Sequence, residues 1–217
     1  ACAPFRRLHL CNKNMEKIAT SMTKHDLLAE VCMAAKFEGE SITRDYPQYQ
    51  QKYGDSGHTT CTMLARSFAD IGDIIRGKDL YLGKKKKKKQ KKKIKKNFKN
   101  IFQKYIKGID KRPTKTLQKG PPKNEKKASE AQTRYNGDDN NNYSKLREDW
   151  WALNRKEVWK AITCDEENKL GGYSYFRGTC GSGKTATQAS TKCRCGDDKK
   201  PNDQVPTYFD YVPQYLR

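Results

Sequence analysis

Cysteines stand at positions 2, 11, 32, 61, 164, 180, 193 and 195 of this 217-residue chain. An even set in a lysine-rich sequence with few companion metal ligands points to disulfides and an oxidising, extracellular setting. Zinc is the competing use of so many thiols. No C-x-x-C pair occurs, however, and His9, His25 and His58 are not spaced as ligand pairs, whereas a structural zinc site needs four convergent nitrogen or sulfur ligands. Neither a metal nor a cofactor is expected. Bridges would also supplement a thin core, because apolar residues make up 34% of the chain against 33% charged, and a bridge that closes a long loop adds about 2–4 kcal/mol. The chain has no signal peptide and no run of roughly 18 apolar residues, so membrane insertion is not expected of this piece.

The net charge of +21 is unevenly placed. From Lys84 to Lys127 there are 21 basic residues against Asp110 and Glu125, while the rest of the chain carries 25 basic and 23 acidic groups. A near-neutral domain therefore bears one basic insert. Its densest part is Lys84, Lys85, Lys86, Lys87, Lys88, Lys89, Lys91, Lys92, Lys93, Lys95 and Lys96, with no acid among them. Like charges so closely packed repel one another and predict a mobile, exposed arm. Such an arm attracts polyanions over long range. Nucleic-acid modules interleave aromatics so that bases can stack, and residues 84–96 contain none, so nucleic acid is not an expected partner. A sulfated polysaccharide such as heparan sulfate fits, with Arg6 and Arg7 as a second basic pair. The alternative is a passive low-complexity insertion, which a loop tolerates at little cost.

Helical spacing accounts for most of the remainder. Thr23 and Asp26 resemble a capping box before Leu27, Leu28, Val31, Cys32, Ala34 and Ala35, and Gly39 is the expected stop. Residues 40–60, with Pro47, Gly54 and Gly57, read as a long loop. Cys61, Leu64, Phe68, Ile71 and Ile75 step by three and four on one stripe, ending at Gly77, with Arg66, Asp70 and Asp73 on the other side. A third stripe runs through Ile94, Phe98, Ile101, Phe102, Tyr105 and Ile106. Residues 108–142, rich in Gly, Pro and Asn, read as an exposed linker. A fourth helix is expected over Tyr143 to Cys164, its three tryptophans serving both core and interface. A further helix could begin after Pro213.

Gly178 to Thr185, GTCGSGKT, matches the phosphate-binding loop pattern letter for letter. That loop needs a hydrophobic strand before it and a helix after it, so that backbone N–H groups wrap the phosphates and the lysine reaches the terminal ones. Tyr173 to Phe176 is at best a short strand, and Ala186 to Lys192 lacks a helical apolar stripe. A nucleotide site with Lys184 at its centre is the alternative function, and a flexible Gly/Ser loop is the expected one. Asp165, Glu166 and Glu167 read as a solvated helix end. No residue is assigned a catalytic role, and the chain is not expected to be an enzyme.

Six segments taken together carry a family resemblance: CAPFRRLHLC at Cys2–Cys11, LLAEVCMAAKFEGESI at Leu27–Ile42, CTMLARSFADIGDIIRGKDLY at Cys61–Tyr81, REDWWALNRKEVWKAITC at Arg147–Cys164, YFRGTC at Tyr175–Cys180 and PTYFDYVPQYLR at Pro206–Arg217. In this order they resemble the alpha-type Duffy-binding-like domain of Plasmodium falciparum erythrocyte membrane protein 1. The resemblance implies a mostly α, disulfide-stapled fold: an irregular first subdomain (residues 1–22) and a four-helix second subdomain (residues 23–217, with the Lys-rich insert at 84–127), the third subdomain being absent. It implies a receptor-binding adhesion module of an antigenically variable virulence protein in malaria, outside the infected erythrocyte membrane, acting in rosetting or cytoadherence. The partners it implies are host erythrocyte or endothelial receptors and glycans, among them heparan sulfate, blood-group sugars and complement receptor one, and host antibodies. It implies that Cys2 and Cys11 find partners upstream. Cys61 is expected to pair with Cys195 or Cys193, and Cys32 with Cys164 between two core-facing helices; Cys180 is a further disulfide candidate.

Overall fold

The computed structural model describes residues 5–18, 24–53, 60–81, 85–110, 130, 133–138, 140, 142–164, 170, 173–196 and 204–217. Four long helices run through them: α1, Lys24–Tyr53; α2, Thr60–Arg76; α3, Lys85–Asp110; and α4, Ser144–Ile162. Helices α1, α2 and α4 pack on one another, and the irregular segment 5–18 adds Leu10, Met15 and Ile18 to the same core. The fold is mostly helical, as the periodicities require.

Helix α2 is the central element. Its apolar stripe is buried, but so are Ser67, Asp70, Asp73 and Arg76 on its other sides, leaving only Met63 and Arg66 outside the buried set. A helix buried all round must satisfy its polar groups internally, and the site described below does this. Gly77 ends α2 with φ +79°, while Lys78 N–H donates to Asp73 O at 2.8 Å, a left-handed stop that favours glycine.

Helix α1 does not stop at Gly39. It continues through the expected loop to Tyr53. Gly39 instead marks a helix crossing, since a Cβ there would lie 2.0 Å from the carbonyl oxygen of Ile162 at the end of α4. The same crossing explains a second correction. Cys11, Cys32 and Cys164 are free thiols, so the expected Cys32–Cys164 bridge is not formed. Cys32 lies seven residues from the crossing, roughly 10 Å along a helix rising 1.5 Å per residue, and bridged Cα atoms stand about 4.4–6.8 Å apart. Cys61 does bond to Cys193, one of its two expected partners, with Cα atoms 5.4 Å apart. Cys180 bonds to Cys195. Cys2, Thr23 and residues 165–167 lie outside the described residues.

Helix α4 holds the three tryptophans in the core. Trp150, Trp151 and Trp159 are all buried, so the interface share expected of them is not seen. Phe68 of α2 sits between two of them, its ring centroid 5.0 Å from that of Trp151 and 5.2 Å from that of Trp159. The start of α4 is capped from the expected linker, because Asp138 accepts from the N–H groups of Lys145 and Leu146 at 3.0 Å each. Arg134 and Tyr135 also reach Asp149 at 2.6 and 2.8 Å. The end of that linker is therefore pinned to α4, not free.

The C-terminal part is a short antiparallel pair, β1 (Gly178–Cys180) and β2 (Thr187–Gln188), followed by 3-10 turns at Phe209–Tyr211 and Gln214–Leu216. The turn Gln214–Leu216 directly follows Pro213. In the GTCGSGKT segment residues 181–185 are exposed, and the turn Gly183–Thr185 leads into β2 instead of a helix. Cys180 ties this segment to Cys195. Among the described residues, no helix is long and apolar enough to cross a membrane.

Candidate functional site

The lysine run is part of α3. Lysine is a good helix former, and the stripe Ile94, Phe98, Ile101 and Phe102 is buried, so docking of that stripe outweighs repulsion that costs only about 0.2–0.5 kcal/mol per neighbouring pair. The expectation of a mobile arm is corrected accordingly. Lys87, Lys88, Lys89, Lys92, Lys93, Lys95 and Lys96 stand exposed on this helix. Lys84 lies outside the described residues, and Lys85 and Lys86 are described only as helical backbone.

Three basic residues of the expected glycan set are occupied elsewhere. Lys91 Nζ donates to the carbonyls of Asp79 and Tyr81 at 2.6 and 2.7 Å, which ties α3 to the segment after α2. Arg7 grips the Asp79 carboxylate through Nε and Nη2 at 3.2 and 2.9 Å, both side chains being almost fully buried. Arg6 pairs with Asp70 at 2.9 Å. Burial lowers the Arg6 guanidinium from its ordinary pKa, with Asp70 opposing the shift. Arg6 and Arg7 are thus internal clamps and do not form a basic surface pair.

These clamps belong to a buried ionic cluster on α2. Arg217 reaches Asp70 at 3.2 Å and also bonds to Asp73, while Arg76 holds Asp73 at 2.9 Å. Asp210 accepts from Trp151 Nε1 at 2.9 Å and from Arg155 at 2.8 Å. The cluster gathers α2, α4 and both outer segments of the chain. Each of its carboxylates, Asp70, Asp73, Asp79 and Asp210, is held by a cation.

Arg147 is the residue that sequence reasoning missed. It is 1% exposed, caps the carbonyls of Ile75 and Ile74 at 2.5 and 3.2 Å, and lies against the rings of Phe98 and Phe102. A readable signal existed: Arg147 stands one turn before Trp151, a charge in line with an apolar stripe.

The described residues thus form a disulfide-pinned helical body with a buried ionic cluster and a basic helix facing outward. The chain belongs to the Duffy-binding domain family, which matches it over residues 1–217. Two solved structures of the PfEMP1 IT4var13 DBLβ domain are similar to it. The ICAM-1-binding domain is 28% identical with a TM-score of 0.60, the match covering 97% of this chain and 40% of that one. The same domain bound to ICAM-1 is 27% identical with a TM-score of 0.63, covering 99% and 42%. A further PfEMP1 DBLβ domain, bound to human ICAM-1, is 24% identical with a TM-score of 0.51, covering 97% and 37%; it shows the fold alone. The chain therefore spans about two fifths of the length of these solved domains. No curated protein matches it.

Proposed function

We propose that this chain is part of an alpha-type adhesion domain outside the infected erythrocyte membrane, and that it contributes to rosetting or cytoadherence by holding sulfated host glycans on α3. One observation carries the reading. Helix α3 presents seven exposed lysines between Lys87 and Lys96, and no acid occurs in the helix before Asp110. Ordered on a helix, these charges form a fixed ladder whose field attracts a polyanion and releases its counterions on contact. No catalytic role accompanies this binding.

The test measures heparin affinity at several salt concentrations before and after Lys88, Lys89, Lys92, Lys93 and Lys96 are replaced by Gln, which keeps the helix. Affinity should fall, and its slope against salt should flatten. An unchanged slope refutes the α3 reading. The ICAM-1-binding neighbours support a second reading, in which a protein receptor is the partner. Immobilised ICAM-1 tests it in parallel, and binding that survives the same replacements favours the receptor over the glycan.

A further inference from the structure

Beside the exposed ladder lies a cavity of about 150 Å³, between the segment after α2, the first turns of α3 and the start of α4. Its wall brings together Arg7, Lys87, Lys91, Lys95 and Arg147, with Asp79 as the one carboxylate among the described residues. Lys87, Lys91 and Lys95 recur every four residues, so the helical period turns this set to one side. Asp79 is already held by both Arg7 and Lys91. Lys87 and Lys95 have no ion-pair partner among the described residues, and Glu148 offsets only part of the Arg147 charge.

Arg147 makes the imbalance acute. Its Nε and Nη2 are bonded to carbonyls, but its buried Nη1 has no hydrogen-bond partner among the described residues. Nη1 lies 3.0 Å from where a Cβ of Gly77 would stand, and Gly77 is itself part of the cavity wall. Leaving a buried charged donor unsatisfied is costly, and residues that do so side by side with three lysines mark a place for an anion. Burial lowers the Arg147 guanidinium to about 10, against a weaker pull from Glu148, so it remains a cation at neutral pH.

We propose that this cavity is a discrete oxyanion site, in which Arg147 Nη1, Lys87 and Lys95 hold a single sulfate-like group. Donors drawn from two helices line the cavity, which suits an anion with several acceptor oxygens. The site deepens the glycan reading above and rests on it only for the source of the group, which is either a sulfo group of a glycan or a free inorganic oxyanion.

The experiment titrates the full chain with sodium sulfate at constant ionic strength and reads the thermal midpoint. Two variants each remove two charges: Lys87→Gln with Lys95→Gln in the wall, and Lys88→Gln with Lys92→Gln outside it. Both spare Arg147, whose loss would expose the end of α2. The native chain and the outward pair should show a saturable rise with one midpoint, and the wall pair should need about tenfold more sulfate, the effect of losing charge-assisted contacts. No saturable rise in the native chain, or equal loss in both pairs, overturns the site. A sulfated heparin disaccharide that competes with sulfate identifies a glycan group as the source, whereas saturable sulfate binding without competition identifies the free ion. Heparin affinity read on the same variants separates the two ideas: intact heparin binding without sulfate saturation sinks the cavity alone, and the reverse sinks the α3 ladder alone.

Discussion

Arg217 places a guanidinium between Asp70 and Asp73, with its side chain fully buried. Truncating Arg217 strips one of two counter-charges from each carboxylate and leaves Arg6 on Asp70 and Arg76 on Asp73, a loss at the lower end of the about 3–5 kcal/mol that breaking a buried ion pair costs. Arg217→Ala should lower stability by about 3 kcal/mol in urea unfolding at neutral pH. Burial already pushes the Asp73 carboxyl above its ordinary value, with Arg217 and Arg76 pulling it back, and removing Arg217 raises it further. An acid whose folded pKa is raised binds more protons in the native state, so its contribution is lost as pH rises above the ordinary value of 3.8. The deficit of the variant against the native chain should therefore grow between pH 4 and pH 7. Two thiols permit an independent check. Burial first, then Glu38 for Cys11 and Glu157 for Cys32, pushes both up to about 11. Their alkylation by iodoacetamide at pH 8 should run about a hundredfold slower than that of an unperturbed thiol, as peptide mass spectrometry will show.

The helices show what the residue pattern reveals and what it conceals. The stripe from Cys61 to Ile75 and its stop at Gly77 were legible because local spacing and a left-handed turn are local facts. Gly39 was not, since a glycine that ends a helix and a glycine that lets another helix approach look identical in one dimension. The distinction is testable. Gly39→Ala puts a methyl 2.0 Å from the Ile162 carbonyl, so α1 and α4 must separate; overpacking of this kind costs about 1–3 kcal/mol, visible as a lowered thermal midpoint. An unchanged midpoint would mean that the crossing adjusts freely. The lysine run misled for a related reason. Its charge argued for a mobile arm, but the stripe that docks it begins only at Ile94, and the carbonyls that hold Lys91 come from Asp79 and Tyr81. Arg147 escaped because a charge inside an apolar face is legible only once the face is known to be buried.

At the scale of the molecule, two bridges divide the work unequally. Cys61–Cys193 spans 132 residues and Cys180–Cys195 spans 15. If bridges act by restricting the unfolded chain, the longer loop contributes nearly 5 kcal/mol and the shorter about 3 kcal/mol. Replacing Cys61 and Cys193 by Ala should therefore lower the urea midpoint more than replacing Cys180 and Cys195; equal losses would place the effect in the native state instead. The longer bridge also has a mechanical meaning. Arg6 and Arg217 meet on Asp70, with Arg6 Nη1 3.5 Å from the Arg217 carbonyl, so tension applied between residues 6 and 217 falls first on that junction. Once the junction parts, the bridge withholds 132 residues from extension, about 450 Å of contour at roughly 3.4 Å per residue. Oxidised, the molecule is a short tether whose interior is shielded from the force path; reduced, it is a long one, and a single-molecule pull distinguishes the two by length alone.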